Sequence, residues 1–336
     1  MNILLCSIGR RPYLVQWFKD ALADNGLAGK VLVADPDPIS PVRAFADEFI
    51  HAPRVSESGY ETWLKEVLVE RDVALAISID EFELWGWSLL PREEHWGPLL
   101  RLTPESQRLV EDKYAMSEAF RDSDIQIPQT ALARHALQDL REEGQFVVKG
   151  RFSTGSRGLR YTHAGRLQDT LRDAIREAST SRDHPAFAQG DLAPGDLVIV
   201  QDRIVGTEYG LDIVSDLDNE FAAVLARRKI SMREGETDRA ESVDPEMFVE
   251  LGRTIAAAVP HPGSIDVDVI VDTEGTPFLI DINPRFGGGY PFSQLAGARV
   301  PHCYVAWTAG QSVQEDWLRT TPGVVSGKYV GVTRIR

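Results

Sequence analysis

The segment FLIDINPRFGGGYPF, residues 278–292, begins as an apolar strand and then places an acid, an amide and an arginine at alternate positions: Asp281, Asn283 and Arg285. Alternate side chains of a strand point to the same face. Carboxylate and amide oxygens are ligands of Mg²⁺, whose coordination shell phosphate oxygens often complete. The arginine beyond them offers a fork of donors to a phosphoryl or carboxylate group. This pattern predicts a site where a metal ion and an anionic group meet.

A second acidic strand precedes this one, since SIDVDVIV carries Asp266 and Asp268 at alternate positions. The connector DTEGT predicts a turn, so the two strands should pair antiparallel. We expect Asp268 opposite Asp281 and Asp266 opposite Asn283, with Cβ atoms roughly 5 Å apart. A solvated acidic face is the alternative interpretation. The Asn-Pro-Arg and glycine residues that follow favour the metal site.

Two glycine-rich segments could hold anions through backbone N–H groups. Gly287 and Gly288 follow Arg285, and strand QFVVKG places Lys149 before a loop of small residues. That loop lacks the GxxxxGK[ST] order, and no GxGxxG follows the first strand, so neither a P-loop nor a dinucleotide fingerprint is present. Plain flexible turns are the alternative. The loop residues that we expect to contact phosphate are Ser153, Thr154, Gly155 and Ser156.

A substrate site is expected at the carboxyl ends of the first strands. Gly9, Arg10 and Arg11 end the first strand, and Asp80 and Glu81 follow the strand ALAISID. Our hypothesis is that the arginines bind a substrate carboxylate and the acids bind an amino group, the alternative being that these residues are simply exposed. Further along lies a basic stretch, which is either a phosphate or substrate contact or a solvated face. It consists of Arg227, Arg228, Lys229 and Arg233, with Glu234.

The elements that must position these residues fall into two kinds. Strands alternate with helical patterns over residues 2–80, which predicts a parallel, Rossmann-like α/β sheet. The strand density beyond residue 105 predicts an α+β arrangement with antiparallel pairing. We therefore expect an α/β and α+β protein whose domains span residues 1–104, 105–190 and 191–336.

Composition excludes several classes of function. The 336 residues are 43% hydrophobic and 26% charged, as in ordinary globular proteins, and the net charge of −15 argues against broad binding to nucleic acid or anionic membranes. The apolar runs are too short to span a bilayer. The two cysteines form no disulfide or metal-binding pattern. We expect a cytoplasmic protein, with a homodimer as the assembly to test because it is the commonest.

Several motifs occur together in one order: Asp112-Lys113, Val148-Lys149 with STGSRG, VIVQDRIVGTEYGLDIV, SIDVDVIV and LIDINPR. This ordered set resembles the ATP-grasp enzymes, and the whole chain resembles the single-unit relatives of the carbamoyl-phosphate synthase large subunit. The resemblance implies a pre-ATP-grasp domain followed by a two-lobed ATP-grasp domain that clamps ATP. It also implies Mg²⁺, with two ions expected and Mn²⁺ as a substitute.

The resemblance assigns roles to individual residues. The chain has Asp268 where the synthase has glutamine and Asp281 where glutamate is commoner, so one of the two metals should bind more weakly. The implied roles are phosphate binding by Lys113 and Lys149, adenine contacts by Gln201, Asp202 and Ile204, a ribose or metal contact by Glu208, and metal binding by Asp268, Asp281 and Asn283.

The implied reaction is carboxylate–amine ligation between small molecules. The γ-phosphoryl group of ATP passes to a carboxylate, and an amine then attacks the acyl phosphate, with Lys149, Arg285 and Asn283 in catalytic roles. A lid over residues 151–160 would exclude water. Three alternatives stay open: carbamoyl-phosphate-type chemistry, a small-molecule kinase, and an ATP-binding protein without turnover.

Overall fold

A computed structural model describes residues 1–139, 143–153, 158–180 and 192–335 of the chain. In these parts of the chain the strands form three sheets. None of the helices described there combines the length and apolar character needed to cross a membrane. The α/β and α+β fold class predicted from the sequence is confirmed. The division at residues 104 and 190 stays a prediction, and residue 190 lies outside the described ranges.

The N-terminal part is a parallel sheet flanked by helices, as predicted. The strand order is β3-β2-β1-β4, and each neighbouring pair runs parallel. The two central strands of this sheet are buried along almost their whole length because helices cover both faces, whereas the edge strand β3 carries Glu48 and His51. The elements are β1 (Asn2–Cys6), α1 (Pro12–Asp24), β2 (Val31–Asp35), β3 (Glu48–His51), α2 (Tyr60–Glu70), β4 (Val73–Ser78) and α3 (Glu81–Leu89).

Two short helices connect this part to the rest, α4 (Pro104–Glu111) and α5 (Lys113–Phe120). The sequence pattern predicts one continuous helix over residues 105–122, which is wrong. The backbone leaves helical geometry at Asp112, with ψ at 94°, and the Asp112 carboxylate accepts hydrogen bonds from the first N–H groups of α5. The break is N-capping by an acid, and it places Lys113 at the start of a new helix.

A smaller four-stranded sheet follows, with strand order β5-β8-β6-β7. Phe146, Val148, Val198 and Val200 point to one face, where they pack against the apolar side of α7. The opposite face carries Lys149 and Gln201. The elements are β5 (Thr130–Leu132), α6 (Ala136–Asp139), β6 (Gln145–Gly150), β7 (Arg160–His163), α7 (Leu167–Thr180) and β8 (Val198–Asp202).

The largest sheet is antiparallel and has the order β13-β12-β9-β10-β11-β14. Its apolar face packs on α8. The sequence pattern predicts one C-terminal helix over about residues 292–309. In the structure this helix is divided at Gly297, whose φ of +118° interrupts helical geometry. The elements are β9 (Gly206–Ser215), β10 (Phe221–Arg233), β11 (Glu236–Val243), α8 (Val249–Ala258), β12 (Gly263–Asp272), β13 (Pro277–Asn283), α9 (Tyr290–Leu295), α10 (Val300–Thr308) and β14 (Val325–Gly327).

The N-terminal sheet and the largest sheet share one hydrophobic core. Phe18 of α1 contacts Phe286 and Tyr304 in edge-to-face or tilted ring pairs, with centroids 6.4 and 6.3 Å apart. All three rings are almost fully buried. This continuous core fixes the loops after β1 and β4 against the segment that follows β13.

Candidate functional site

The second face of the largest sheet is charged. Side chains alternate along each strand, so the residues between the core positions all emerge on this face. Register places Asp212 opposite Asp266 and Gly210 opposite Asp268 across β9 and β12. The charged face consists of Glu208 and Asp212 on β9, Arg227 and Lys229 on β10, Asp266 and Asp268 on β12, and Asp281 and Asn283 on β13.

The acidic hairpin has the register predicted from its turn. Asp268 lies opposite Asp281, and Asp266 lies opposite Asn283. A β-bulge between Asp268 and Val269 shifts the pairing only toward the turn end. The predicted metal ligands are therefore brought together on one face.

Two lysines neutralise the predicted metal ligands. The Lys113 ammonium lies 2.8 Å from Asp281 Oδ1, and the Lys229 ammonium lies 2.7 Å from Asp268 Oδ1. Both lysine side chains are over nine-tenths buried. Lys229 belongs to the basic stretch predicted as a phosphate or substrate contact, and the structure places it on the charged face beside Asp268.

Within the described ranges, no three acidic, histidine or cysteine side chains converge as a metal cage. The donor set nevertheless fits Mg²⁺, which commonly takes one or two carboxylates from the protein and its remaining ligands from phosphates and water. Asp268 and Asp281 supply two adjacent carboxylates, and Asn283 supplies an amide oxygen on the same face.

Lys149 on β6 faces the acidic hairpin from the smaller sheet. Its side chain is buried, and its ammonium lies near the charges of Lys113, Asp281 and Asp268. Burial, reinforced by the Lys113 ammonium, lowers the pKa of Lys149 to about 8, although Asp281 and Asp268 oppose this shift. The Lys149 ammonium is therefore a buried cation suited to bind an anion such as phosphate.

Nucleotide binding should therefore weaken as the pH rises through about 8. The charged fraction of Lys149 falls about tenfold for each pH unit above its pKa, and phosphate binds the charged form. Measuring the dissociation constant of ATP at a series of pH values around 8 tests this effect. Lys149→Arg is the matched control. Arginine stays charged across this pH range, so the ATP affinity of this variant should not change with pH. Equal pH profiles for the two proteins would contradict the role of Lys149.

The predicted phosphate loop is described only in part. Thr154, Gly155 and Ser156 lie outside the described residues, as do residues 154–157 of the predicted lid. Ser153 closes a turn by donating from its hydroxyl to the Gly150 carbonyl at 2.9 Å. This turn places the start of the loop directly after Lys149.

The predicted adenine residues lie at the end of β8. Gln201 shares the face of Lys149, is buried, and donates to the Thr130 hydroxyl at 3.0 Å. Asp202 alternates to the opposite side, and Ile204 follows the strand and is half-buried. Glu208 is exposed on β9. Burial of Lys229 opposes its charged form, but the negative charges of Asp268 and Glu208 raise the pKa of this lysine.

The basic stretch on β10 divides between the two faces of the sheet. Arg228, the predicted contact residue, lies on the far face and pairs with Glu241, so the structure does not bring it to the site. Its neighbour Arg227 is 2% exposed and donates to Asp212 at 2.6 Å and to Asp266 at 2.5 Å. Neighbouring side chains of a strand point to opposite faces, and for this reason Arg227 rather than Arg228 lies on the charged face.

The glycine turn, residues 287–289, lies over Arg227 and Asp266. A Cβ atom on Gly287 would lie 2.1 Å from Asp266 Cγ, and one on Gly289 would lie 2.3 Å from Arg227 Nε. Both distances are impossible for real contacts, so the glycines are required for close packing. Their role as N–H donors to an anion stays a prediction.

Arg285 connects the hairpin to the N-terminal sheet. It donates to Glu81 Oε1 at 2.9 Å, and Arg11 donates to the Phe286 carbonyl at 3.2 Å. The structure thus brings Glu81 and Arg11, two of the predicted substrate residues, to the glycine turn.

The other predicted substrate residues have different surroundings. Asp80 is the N-cap of α3 and accepts from the Glu83 amide at 3.0 Å, which is a structural contact. Arg10 is exposed. Gly9 adopts φ +55°, a conformation that favours glycine, and its carbonyl accepts from the Ser40 hydroxyl at 3.4 Å.

Glu83 is a buried carboxyl group in the first turn of α3. It accepts hydrogen bonds from Ser78 at 2.5 Å, from Tyr60, and from Ser7. Burial raises its pKa to about 7 even though these three hydroxyl groups favour the charged form. Ser7 has φ +52°, an uncommon conformation for a non-glycine residue, at the end of β1.

Glu83 should make stability depend on pH. Its folded pKa of about 7 exceeds the ordinary 4.5, so its stabilising contribution is full below about 4.5 and is lost as pH rises through about 7. The loss should approach about 3 kcal/mol. Denaturant unfolding of Glu83→Gln across this interval should show a flatter pH profile than the parent. Parallel profiles would exclude Glu83 as the titrating group.

Two protein families match separate parts of the chain. The family described as PylC-like, N-terminal domain, matches residues 3–93. The family described as ATP-grasp in the biosynthetic pathway with Ter operon matches residues 196–326. The second match contains the acidic hairpin, Arg285 and the glycine turn.

Curated and solved proteins resemble the chain over most of its length. The 3-methyl-D-ornithine–L-lysine ligase of Methanosarcina mazei is 25% identical over 292 residues, which are 85% of this chain but 66% of that ligase. The biotin carboxylase domain of Hydrogenobacter thermophilus 2-oxoglutarate carboxylase, crystallised with MgADP and bicarbonate, is 16% identical with a TM-score of 0.71, over 95% of this chain and 72% of that one. An L-amino acid ligase of Bacillus licheniformis is 14% identical with a TM-score of 0.66, over 95% and 77%.

Proposed function

We propose that this chain, which belongs to the ATP-grasp superfamily, is an ATP-dependent carboxylate–amine ligase acting on small molecules. The observation that carries the proposal is the meeting of Lys113 and Lys149 with two paired aspartates of the hairpin, beyond which Arg285 pairs with Glu81. The ligase names of relatives at low identity support the same reaction class.

The residues on the charged face would hold the nucleotide. Asp268, Asp281 and Asn283 would hold Mg²⁺, which would supply neutralisation of the charge that develops during phosphoryl transfer. Lys113 and Lys149 would bind phosphate oxygens once the phosphates replace the present carboxylate partner of Lys113. Gln201, Asp202 and Ile204 would line the adenine, Glu208 would contact the ribose or a metal, and the loop from Ser153 would cover the phosphates.

Arg285 would act on the acyl group. Its guanidinium is largely buried and would stabilise the oxyanion formed when the amine attacks the acyl phosphate. Positioning and charge neutralisation supply most of the catalysis in such a transfer, so no protein nucleophile is needed. The carboxylate and the amine would enter between the glycine turn and the loops that carry Arg11 and Glu81.

The decisive experiment is a screen of carboxylic acids for ADP and phosphate release with hydroxylamine present. A hydroxamate would establish that an acyl group is activated. Release of ADP with a stable phosphorylated product would instead favour a small-molecule kinase, and ATP binding without turnover would favour a non-catalytic protein. Replacing Mg²⁺ by Mn²⁺ in the same assay tests metal substitution, and sedimentation tests the proposed homodimer.

A further inference from the structure

A half-exposed carboxylate, Glu236, lies beside the glycine turn. Glu236 is the first residue of β11, and its side chain is 51% exposed. A Cβ atom placed on Gly288 would lie 3.0 Å from Glu236 Oε2. A group bound to this oxygen would therefore be adjacent to the Gly288 backbone, where the proposed reaction places the acyl group.

Two cations contact Glu236. The Lys328 ammonium lies 2.6 Å from Oε2, and Arg11 Nη2 lies 3.3 Å from Oε1. Burial favours the neutral acid, but the Lys328 hydrogen bond and the Arg11 charge outweigh it and lower the pKa of Glu236. Glu236 therefore carries a negative charge at neutral pH.

The two cations differ in how easily a ligand could replace them. Arg11 is 19% exposed and is also held by its bond to the Phe286 carbonyl. The Lys328 backbone is anchored by its N–H bond to the Asp238 carbonyl, whereas its ammonium pairs with Glu236 near solvent. Such an exposed pair contributes about 0–1 kcal/mol. An incoming ammonium group can therefore displace Lys328 at little cost.

The other carboxylates next to the turn are more strongly engaged. Glu81 and Asp266 have side chains 13% exposed and pair with Arg285 and Arg227 respectively. Replacing either partner would leave a largely buried arginine without its counterion, which is costly. Of the three acids around the turn, Glu236 is the one suited to exchange partners.

We propose that Glu236 binds the ammonium group of the amine substrate, at the place where the Lys328 ammonium lies. The bound ammonium transfers one proton to the Glu236 carboxylate, the freed amine nitrogen then bonds to the acyl carbon, and phosphate leaves with the electrons of the broken C–O bond. This inference rests on the proposed ligase function. It makes Glu236 a specificity-determining residue that selects amines protonated in solution. Lys328 acts as an intramolecular competitor for the same carboxylate.

A competition between two acceptors tests the proposal. The acid that yields a hydroxamate in the screen is incubated with ATP, methylamine and hydroxylamine at mildly alkaline pH, where methylamine is protonated and hydroxylamine is neutral. The ratio of methylamide to hydroxamate reports acceptor selection independently of total activity. Glu236→Gln should shift this ratio about tenfold or more toward hydroxamate, because a charge-assisted bond to one acceptor is lost.

A second variant and a matched control complete the test. Lys328→Met removes the competitor and should shift the ratio toward methylamide. Glu241→Gln, on the same strand but paired with Arg228 on the far face, should leave the ratio unchanged. Ratios within about twofold of the parent in both Glu236→Gln and Lys328→Met would overturn the proposal. Absence of any hydroxamate in the parent protein would instead reject the ligase function.

Discussion

Replacing Asp268 and Asp281 together by asparagine should lower ATP turnover by about 1000-fold. The two carboxylates lie opposite each other on the hairpin and are the charged members of the proposed metal site. Metal clamping of phosphate oxygens contributes several kcal/mol, and each 1.4 kcal/mol is a factor of ten in rate. Asparagine keeps the shape of the side chain and removes its charge. Steady-state ADP release at saturating ATP and varied Mg²⁺ measures the change.

The control for this double variant is Glu274→Gln, which removes an exposed charge from the turn of the same hairpin. It should leave turnover and the Mg²⁺ requirement unaltered. Circular dichroism should show that the double variant stays folded, although Lys113 and Lys229 lose their partners. A folded double variant that turns over ATP within about threefold of the parent would remove the metal assignment.

Replacing Arg227 by methionine should destabilise the protein by about 3–5 kcal/mol at neutral pH. Arg227 lies between Asp212, which is fully buried, and Asp266. Methionine fills much of the space but leaves both carboxylates without their counterion. Burial already raises the pKa of Asp212 to about 6, in spite of Arg227. The deficit in unfolding free energy should therefore shrink at acidic pH, where Asp212 protonates.

Arg228→Met is the matched control, since Arg228 is the next residue of the same strand, is half-exposed, and pairs on the other face. An exposed pair of this kind contributes at most about 1 kcal/mol. Urea unfolding of both variants at neutral and acidic pH measures the contrast. Equal losses for the two substitutions would show that the buried network does not support the fold.

The hairpin register was predictable because two rules agree there. Strand alternation assigns Asp266, Asp268, Asp281 and Asn283 to one face, and a short turn fixes which residues are opposite. The alternation of helices and strands likewise predicted the parallel N-terminal sheet. Local periodicity and turn chemistry are sufficient when the interacting strands are neighbours in sequence.

Other features depend on contacts between distant segments. Asp112 is a preferred N-cap residue type, but the helical pattern continues on both sides of it, and the Arg151 side chain that donates two hydrogen bonds of 2.6 Å to its carboxylate comes from a distant segment. Strand β11, which carries Glu236, is too polar to be recognised from its pattern. The three glycines could be read as a flexible turn or an anion site, but their packing against Asp266 and Arg227 becomes visible only once β9, β10 and β12 are aligned.

The bidentate pair between Asp112 and Arg151 also connects two segments that we propose to bind the nucleotide. Asp112 immediately precedes Lys113, Arg151 follows Lys149 by two residues, and the Lys113 amide donates to the Arg151 carbonyl at 3.2 Å. Displacement of the smaller sheet toward the hairpin would carry both lysines as one rigid unit. If the smaller sheet moves when a nucleotide binds, the proposed phosphate contacts of Lys113 and Lys149 would therefore form together and be lost together.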